Sequence, residues 1–590
     1  MKTDRIKRMT VGVLAAMLLL TVTACKDEKT SSGNDTVSTG SVTDSSDTES
    51  VSADSSSESA QQISSTESEN TVKPDSSKPS HSVSSGKTSS KVDSTPETTK
   101  TKIFKVESYG AKGDGKTNDG EAISKAVAAA AADSSAKKIV QFQANKTYRV
   151  TGVPESNDNN RLFDLQYAEN VHIQGSNTKI LLKSPVRIGV ISESDNCSIS
   201  GFIFDYSPKP FVIGKVIGKG GDYIDFSTTE EIVIPSGWTA PSTFYAFRNK
   251  ENERLHFFST GYTKLGAKQY RFHIKPGSTG QAAQAVTGEE FILPVPGTSH
   301  ADGGGSAFSI NKNKSFQMSD IKIYSLPEFG FDIRCNEGRM SFTNISFRPE
   351  PGSKIHLVCW RDGFHVKDNS AQIVWDKCDI GPIGDDAFNL SSVCMKPTTI
   401  NASKDTFTLA PMEGGSTYAG RPSLKAGDEF VAYDNFSGEL IGEGKITKVI
   451  NTNPVTFQSS VKLPKVDNNT YFCFYSYANP NYMVKNSTIE GTVRVRCPGT
   501  FENCKFNIYW LKVENETYFE GPIPKNITFK GCSFQSLSGA GKNIVQIGTR
   551  YKDNTSAPAQ YKCKNIVFQD CKWLGGTSYS AEPGNEVIVK

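Results

Sequence analysis

The stretch Gly363-Phe364-His365-Val366 … Ile373-Val374-Trp375-Asp376-Lys377-Cys378-Asp379-Ile380 is two short runs of alternating apolar and polar residues joined by a polar turn. The same arrangement returns upstream in Gly330-Phe331-Asp332-Ile333 … Met340-Ser341-Phe342-Thr343-Asn344-Ile345-Ser346-Phe347. It returns again near the end of the chain, in Asn526-Ile527-Thr528-Phe529-Lys530-Gly531-Cys532-Ser533-Phe534 and Asn565-Ile566-Val567-Phe568-Gln569-Asp570-Cys571-Lys572-Trp573. Period-two alternation belongs to strands with one buried face, and its recurrence about every 20–25 residues is the signature of a parallel β-solenoid. The expected fold is therefore all-β, with each coil burying its apolar face against the next.

Asp362 directly precedes this stretch, and Asp385-Asp386 follow it in Gly384-Asp385-Asp386-Ala387-Phe388-Asn389. The interval from Asp362 to Asp385 is about one coil, which places the two on neighbouring rungs about 4.8 Å apart. Adjacent side chains of a regular strand point to opposite faces, so Asp385 and Asp386 can project together only where a turn or bulge intervenes. Gly381-Pro382-Ile383-Gly384 supplies one. Three carboxylates in one patch cannot all ionise freely, and their coupled titration yields a protonated acid beside an ionised base near neutral pH. That is the chemistry of glycosidic bond hydrolysis.

The folded part opens with Phe104 and the Gly-rich segment Tyr109-Gly110-Ala111-Lys112-Gly113-Asp114-Gly115, followed by Asn118 or Asp119 as the cap of a helix. Ala122, Ile123, Ala126, Val127 and Ala130 repeat at helical spacing, giving one apolar face able to close the open end of a β-stack. This opening resembles that of right-handed parallel β-helix proteins of the pectate-lyase type. The resemblance implies a right-handed parallel β-helix with an N-terminal capping helix, and it leaves the substrate open, because unlike chemistries share that fold.

The repeat rhythm breaks at about 207–305 and 391–479, where hairpin-like strands such as Glu429–Tyr433 predict two small β-barrel-like insertions rising beside the carboxylates. At the other end, Lys2, Arg5, Lys7 and Arg8 precede the apolar run Val11–Leu20, a signal-peptide pattern. Val22-Thr23-Ala24-Cys25 resembles a bacterial lipobox, which implies that residues 1–25 are a lipoprotein signal and that Cys25 carries the lipid. Residues 26–101 are rich in Ser, Thr, Asp, Glu and Lys and read as a disordered linker, leaving 102–590 as the catalytic domain on the outer face of a bacterial membrane. The formal net charge is +3 for 590 residues, with no dense basic run interleaved with aromatics, so nucleic acid is not an expected partner. Twelve cysteines include no pair or Cys/His cluster at zinc spacing, so neither a metal nor another cofactor is expected. Several share one context, as at Cys197, Cys378, Cys504, Cys532 and Cys571, and read as small apolar residues stacked inside the solenoid.

Asp362 with Gly384-Asp385-Asp386 is similar to the acidic constellation of the polygalacturonase-like hydrolases, but the Gly-His-Gly and Arg-Ile-Lys elements that accompany it there do not follow it here. The chain resembles glycoside hydrolase family 110, the β-helical exo-acting α-1,3-galactosidases, more closely. The resemblance rests on Phe204-Asp205-Tyr206-Ser207-Pro208-Lys209-Pro210-Phe211, Ile323-Tyr324-Ser325-Leu326-Pro327, Asp362-Gly363-Phe364-His365, Gly384-Asp385-Asp386-Ala387-Phe388-Asn389 and Phe519-Glu520-Gly521-Pro522, in that order. It implies an inverting exo-α-galactosidase acting on a terminal galactose of a glycan. By analogy with the polygalacturonase-like enzymes, Asp385 is the acid and Asp362 with Asp386 the water-activating base. Asn389, Arg361, Arg494, Glu516 and Glu520 are candidate sugar contacts. Arg494 and Arg496 share one face of their strand, where charges are more often simply solvated. His365 binds a sugar hydroxyl, tunes the acid, or is a solvated turn residue. Trp360 stacks on a sugar face or packs internally.

Overall fold

The computed structural model describes residues 101–154, 160–233, 244–250, 255–295, 305–327, 329–411, 424–515, 520–549 and 562–590. Cys25, the signal peptide, nearly all of the linker, and Glu516 lie outside the described residues.

The alternating runs form the expected right-handed parallel β-helix. Its 28 strands fall into one continuous hydrogen-bonded system, and its coils present three faces. One face carries the catalytic candidates. It stacks, in order, the strands Arg161–Gln166, Arg187–Ser192, Phe308–Asn311, Phe331–Arg334, Phe364–Lys367, Asp386–Val393, Thr488–Val495, Lys505–Asn515, Asn543–Thr549 and Ser578–Ala581. Register there is set by side chains buried inside the coil. Phe308, Phe331, Phe364 and Phe388 stack with ring centroids 4.9, 4.8 and 5.0 Å apart. A one-residue slip would turn each of these rings outward, at a cost of roughly 1.5–3 kcal/mol apiece.

A second internal ladder fixes the corner that follows this face. The amides of Asn313, Asn336, Asn369 and Asn479 are fully buried, and each donates Nδ2–H to the Oδ1 of the next, at 2.9, 2.8 and 2.7 Å. The same Oδ1 atoms accept the backbone N–H of the preceding asparagine, which satisfies the polar groups of a tight, water-free turn.

The helix Gly120–Ala132 buries Ile123, Ala126, Val127 and Ala130 against the first coils, as expected of a cap. Of the two expected caps, Asn118 supplies the side-chain acceptor. Asp119 holds the N-cap position, but its carboxylate turns back to accept N–H groups from Lys112 and Gly113, and Asn118 Oδ1 receives the Gly120 N–H instead. The Gly-rich turn needs an internal acceptor more than the helix does.

Both insertions are closed six-stranded barrels. The first runs from Phe211–Lys219 to Glu290–Pro294 and the second from Met395–Ile400 to Thr470–Phe474, each around its own aromatic core. The first leaves the chain before the strand Phe308–Asn311, and the second leaves it after Asp386–Val393. The barrels therefore stand at opposite ends of the strands that carry the candidate residues. Cys197, Cys378, Cys504 and Cys532 are buried free thiols, as the repeat context predicted, and Cys571 is half-buried.

Candidate active site

The backbone before each strand of this face builds the acidic cluster. Phe364 pairs with Phe388 and His365 with Asn389, so Asp362 and Asp386 lie on neighbouring coils, as their spacing predicted. Asp385 precedes the strand Asp386–Val393, whose register shifts between Asp386 and Phe388, so a regular strand does not hold the two aspartates to opposite faces. A Cβ on Gly384 would meet the Trp360 carbonyl oxygen at 2.5 Å and the Phe247 ring at 2.8 Å, so only glycine fits this bend. One carboxylate oxygen from each of Asp362, Asp385 and Asp386 lies within 4.8 Å of the others.

Each aspartate has its own partner. Asp362 Oδ2 is 2.5 Å from His365 Nδ1; Asp362 precedes the strand Phe364–Lys367, so strand parity does not part the two. Arg361 Nε is 3.3 Å from Asp385 Oδ2, and Arg494 Nε is 3.0 Å from Asp386 Oδ2. Asp386 Oδ1 also accepts the Thr492 hydroxyl at 3.0 Å. Both guanidinium groups lie over aromatic rings: Arg361 over Phe329 at 4.9 Å and Tyr245 of the first barrel at 5.8 Å, Arg494 over Trp510 at 5.2 Å.

The electrostatics follow from burial. Asp362 is pushed well above the ordinary carboxylate range by burial and then by the Asp385 charge. Asp386 is raised by burial, which outweighs the lowering influence of Arg494, with Asp385 and Asp362 adding to the rise. His365 is held down to about 3 by burial and by the Lys367 and Arg334 cations. A neutral imidazole thus faces a cluster that retains a proton at neutral pH. The three carboxylates form an oxygen-rich site of the kind that can hold a divalent cation. One oxygen of each carboxylate already faces His365, Arg361 or Arg494.

Two residues along the same strands stands a second polar group. Glu520 is 2.6 Å from Lys367 Nζ and 3.0 Å from Arg496 Nη1, and Arg496 Nη1 reaches Asn389 Oδ1 at 3.5 Å. Lys367 and Arg496 are each 1 % exposed, so this ion triad is internal. Burial works to raise Glu520, but Lys367 and Arg496 outweigh it and keep the carboxylate well below its ordinary range. The Glu520 segment reaches the face because Glu520–Gly521 pairs antiparallel with Ser392–Val393. Gly521 lies flat against the base of the second barrel, where a Cβ would meet Cys473 Sγ at 2.5 Å.

The structure thus gathers Asp362, Asp385, Asp386, His365, Arg361, Asn389, Arg494 and Glu520 on one face. Trp360 is a correction: it is 2 % exposed and packs against Phe211 and Phe247, joining the first barrel to the β-helix, so it cannot stack on a sugar. The solvated reading of Arg494 and Arg496 is also overturned, since both are ion-paired within the site. Lys367, Thr492 and Trp510 were missed. Lys367 follows His365 by two residues and shares its face, a signal the alternation already contained. Thr492 and Trp510 align with Asp386 only through register across the second barrel, which sequence spacing does not reveal.

The carboxylate spacing bears on the inverting expectation. An acid and base with water between them stand about 6.5–9.5 Å apart, and a nucleophile pair about 5–5.5 Å apart. The nearest aspartate oxygens, within 4.8 Å of one another, fall below both windows.

No family model matches the chain, and no curated protein matches it. Solved structures similar to it include the ORF18 protein of Geobacillus virus E2, at 9% identity and a TM-score of 0.32, covering 83% of this chain and 61% of that one. The present chain therefore spans about three-fifths of that protein. A hyperthermoactive exopolygalacturonase from Thermotoga maritima is similar at 13% identity and a TM-score of 0.33, covering 83% and 91%. PfbA, a surface adhesin of Streptococcus pneumoniae, is similar at 10% identity and a TM-score of 0.27, covering 82% and 93%. At such scores the likenesses carry no argument about chemistry, which rests on the residues themselves.

Proposed function

We propose that the protein is a glycoside hydrolase that removes a terminal α-linked galactose from an oligosaccharide, with 1,3-linked galactose the expected substrate. The observation that carries the reading is the convergence of Asp362, Asp385 and Asp386 on one face flanked by two barrels. A glycan-binding adhesin has no use for three carboxylates, two of them buried, set where they must share a proton.

Asp385 is the most exposed of the three, at 26% against 2–3% for Asp386 and Asp362, and it faces the solvent from which the glycosidic oxygen arrives. It supplies the proton. Burial holds the cluster's proton on Asp362 and Asp386 at neutral pH, so in this assignment that proton first passes to Asp385, and the carboxylate left behind, held by His365, Thr492 or Arg494, then takes a proton from the attacking water. Oxygens within 4.8 Å of one another lie below the spacing of either route, so a second route, in which one of this pair attacks the sugar carbon directly, competes with the first. The anomer first released, followed by NMR, separates the two.

The charges argue for a neutral sugar. Arg361, Arg494, Lys367 and Arg496 all have carboxylate partners within the site, which leaves no cation pair dedicated to a uronate. Export and lipid attachment through Cys25 belong to the same proposal and place a glycan-degrading enzyme outside the cell. Screening purified protein against galactose-terminated oligosaccharides and galacturonan tests the reading; turnover of galacturonan alone would overturn the galactose assignment.

A further inference from the structure

Beside the aspartates, a cleft of about 260 Å³ runs along the corner where the strands of the catalytic face begin. It does not contain the carboxylates, but it adjoins them on three consecutive coils. Ile383 lies two residues before Asp385, Gly491 directly before Thr492, and Tyr509 directly before Trp510. The opposite wall comes from Phe247 of the first barrel and from His356, which follows the turn after the strand Arg339–Phe347. The cleft therefore lies at the same end of the strands as Asp385, and the Lys367–Glu520–Arg496 triad lies toward the other.

We infer that this cleft is the leaving-group subsite and that it takes a neutral pyranose ring, an inference that rests on the hydrolase reading. The two ends of the face differ in chemistry. Toward the second barrel the ion triad of Glu520, Lys367 and Arg496 is internal and its charges are paired with one another, so it offers a ligand little open surface. Toward the first barrel the lining pairs the half-buried Tyr509 ring with the hydrogen-bonding edge of the Arg348–Glu490 pair, whose Nη1 and Oε2 lie 2.5 Å apart. Flat C–H faces with hydroxyls around the rim are what a pyranose offers to such a surface. Anionic ligands are disfavoured because Arg348 is already bound by both Asp379 and Glu490 and Arg248 by Glu289.

The chemistry then has a direction. Asp385 gives its proton to the glycosidic oxygen, the bond from that oxygen to the galactosyl carbon breaks, and the neutral sugar alcohol departs into the cleft. The oxygen of water completes the galactose, and its released proton returns to the aspartate cluster. No further reactant is needed.

The test compares an α-galactosyl disaccharide with α-galactosyl fluoride, whose leaving group is too small to fill the cleft. Tyr509→Ala and, independently, His356→Ala are expected to lower kcat/KM for the disaccharide about tenfold and to leave the fluoride within about twofold. Tyr509→Phe is expected to keep most of the disaccharide rate, because the ring face remains. Equal loss on both substrates, or no loss on the disaccharide in either variant, overturns the subsite while the hydrolase reading stands. Turnover of neither substrate by the unaltered protein overturns that reading and the subsite with it.

Discussion

Asp362, Asp385 and Asp386 are given different roles in the proposed mechanism because their surroundings differ, although their side chains do not. Replacing any one with Asn removes a proton carrier or acceptor, and turnover is expected to fall by about 10²–10⁴-fold or more, with the circular dichroism spectrum unchanged. The same groups set how stability varies with pH. Asp362 and Asp386 have raised values in the folded state, so their contribution is fully present below the ordinary carboxylate range and is lost as pH rises toward their folded values. His365 works in the opposite direction. With its value lowered from 6.5 to about 3, its contribution is present above 6.5 and is lost as pH falls through that window. Thermal unfolding across pH should therefore show a maximum between an acid limb and an alkaline limb. His365→Gln should flatten the acid limb, and Asp386→Asn the alkaline one; limbs unchanged in both variants would contradict this account.

At the scale of elements, the site depends on where the backbone can come close. Gly384→Ala places a methyl against the Trp360 carbonyl oxygen and should move Asp385, lowering kcat more than it lowers the melting temperature. The asparagine ladder is the corresponding structural test. Asn369→Ala strips the amide from between Asn336 and Asn479 and should cost about 1–3 kcal/mol in denaturant unfolding. These elements were unevenly legible in the sequence. Strand alternation, the capping helix and the bend at Gly381–Gly384 follow from local rules of periodicity and turn chemistry. The asparagine ladder does not, because Asn369 and Asn479 meet only after a whole barrel has been inserted between them. Trp360 misled for a related reason: a tryptophan beside an acidic residue looks the same whether it faces a ligand or the underside of an inserted domain.

Over the whole catalytic region, a rigid stack of coils supplies the floor and two barrels stand at the ends of its strands. The two insertions were visible as breaks in rhythm at about 207–305 and 391–479, and both close into barrels at those positions. Their role in the site was less visible, since Tyr245 and Phe247 come from the first barrel and the Glu520 segment is seated against the second. This architecture predicts that activity is lost when either barrel is loosened, even with the aspartates intact. Phe247→Ala, which removes the ring lying against Trp360 at 5.2 Å, should reduce kcat/KM while the β-helix remains folded by circular dichroism. The central claim, that the three converging aspartates form a glycosidase centre, is tested most directly by galactose release from an α-1,3-galactose-terminated oligosaccharide, measured for the unaltered protein and for Asp362→Asn, Asp385→Asn and Asp386→Asn. The account predicts release by the unaltered protein and near-abolition in all three variants; release at the unaltered rate by the three variants would contradict it.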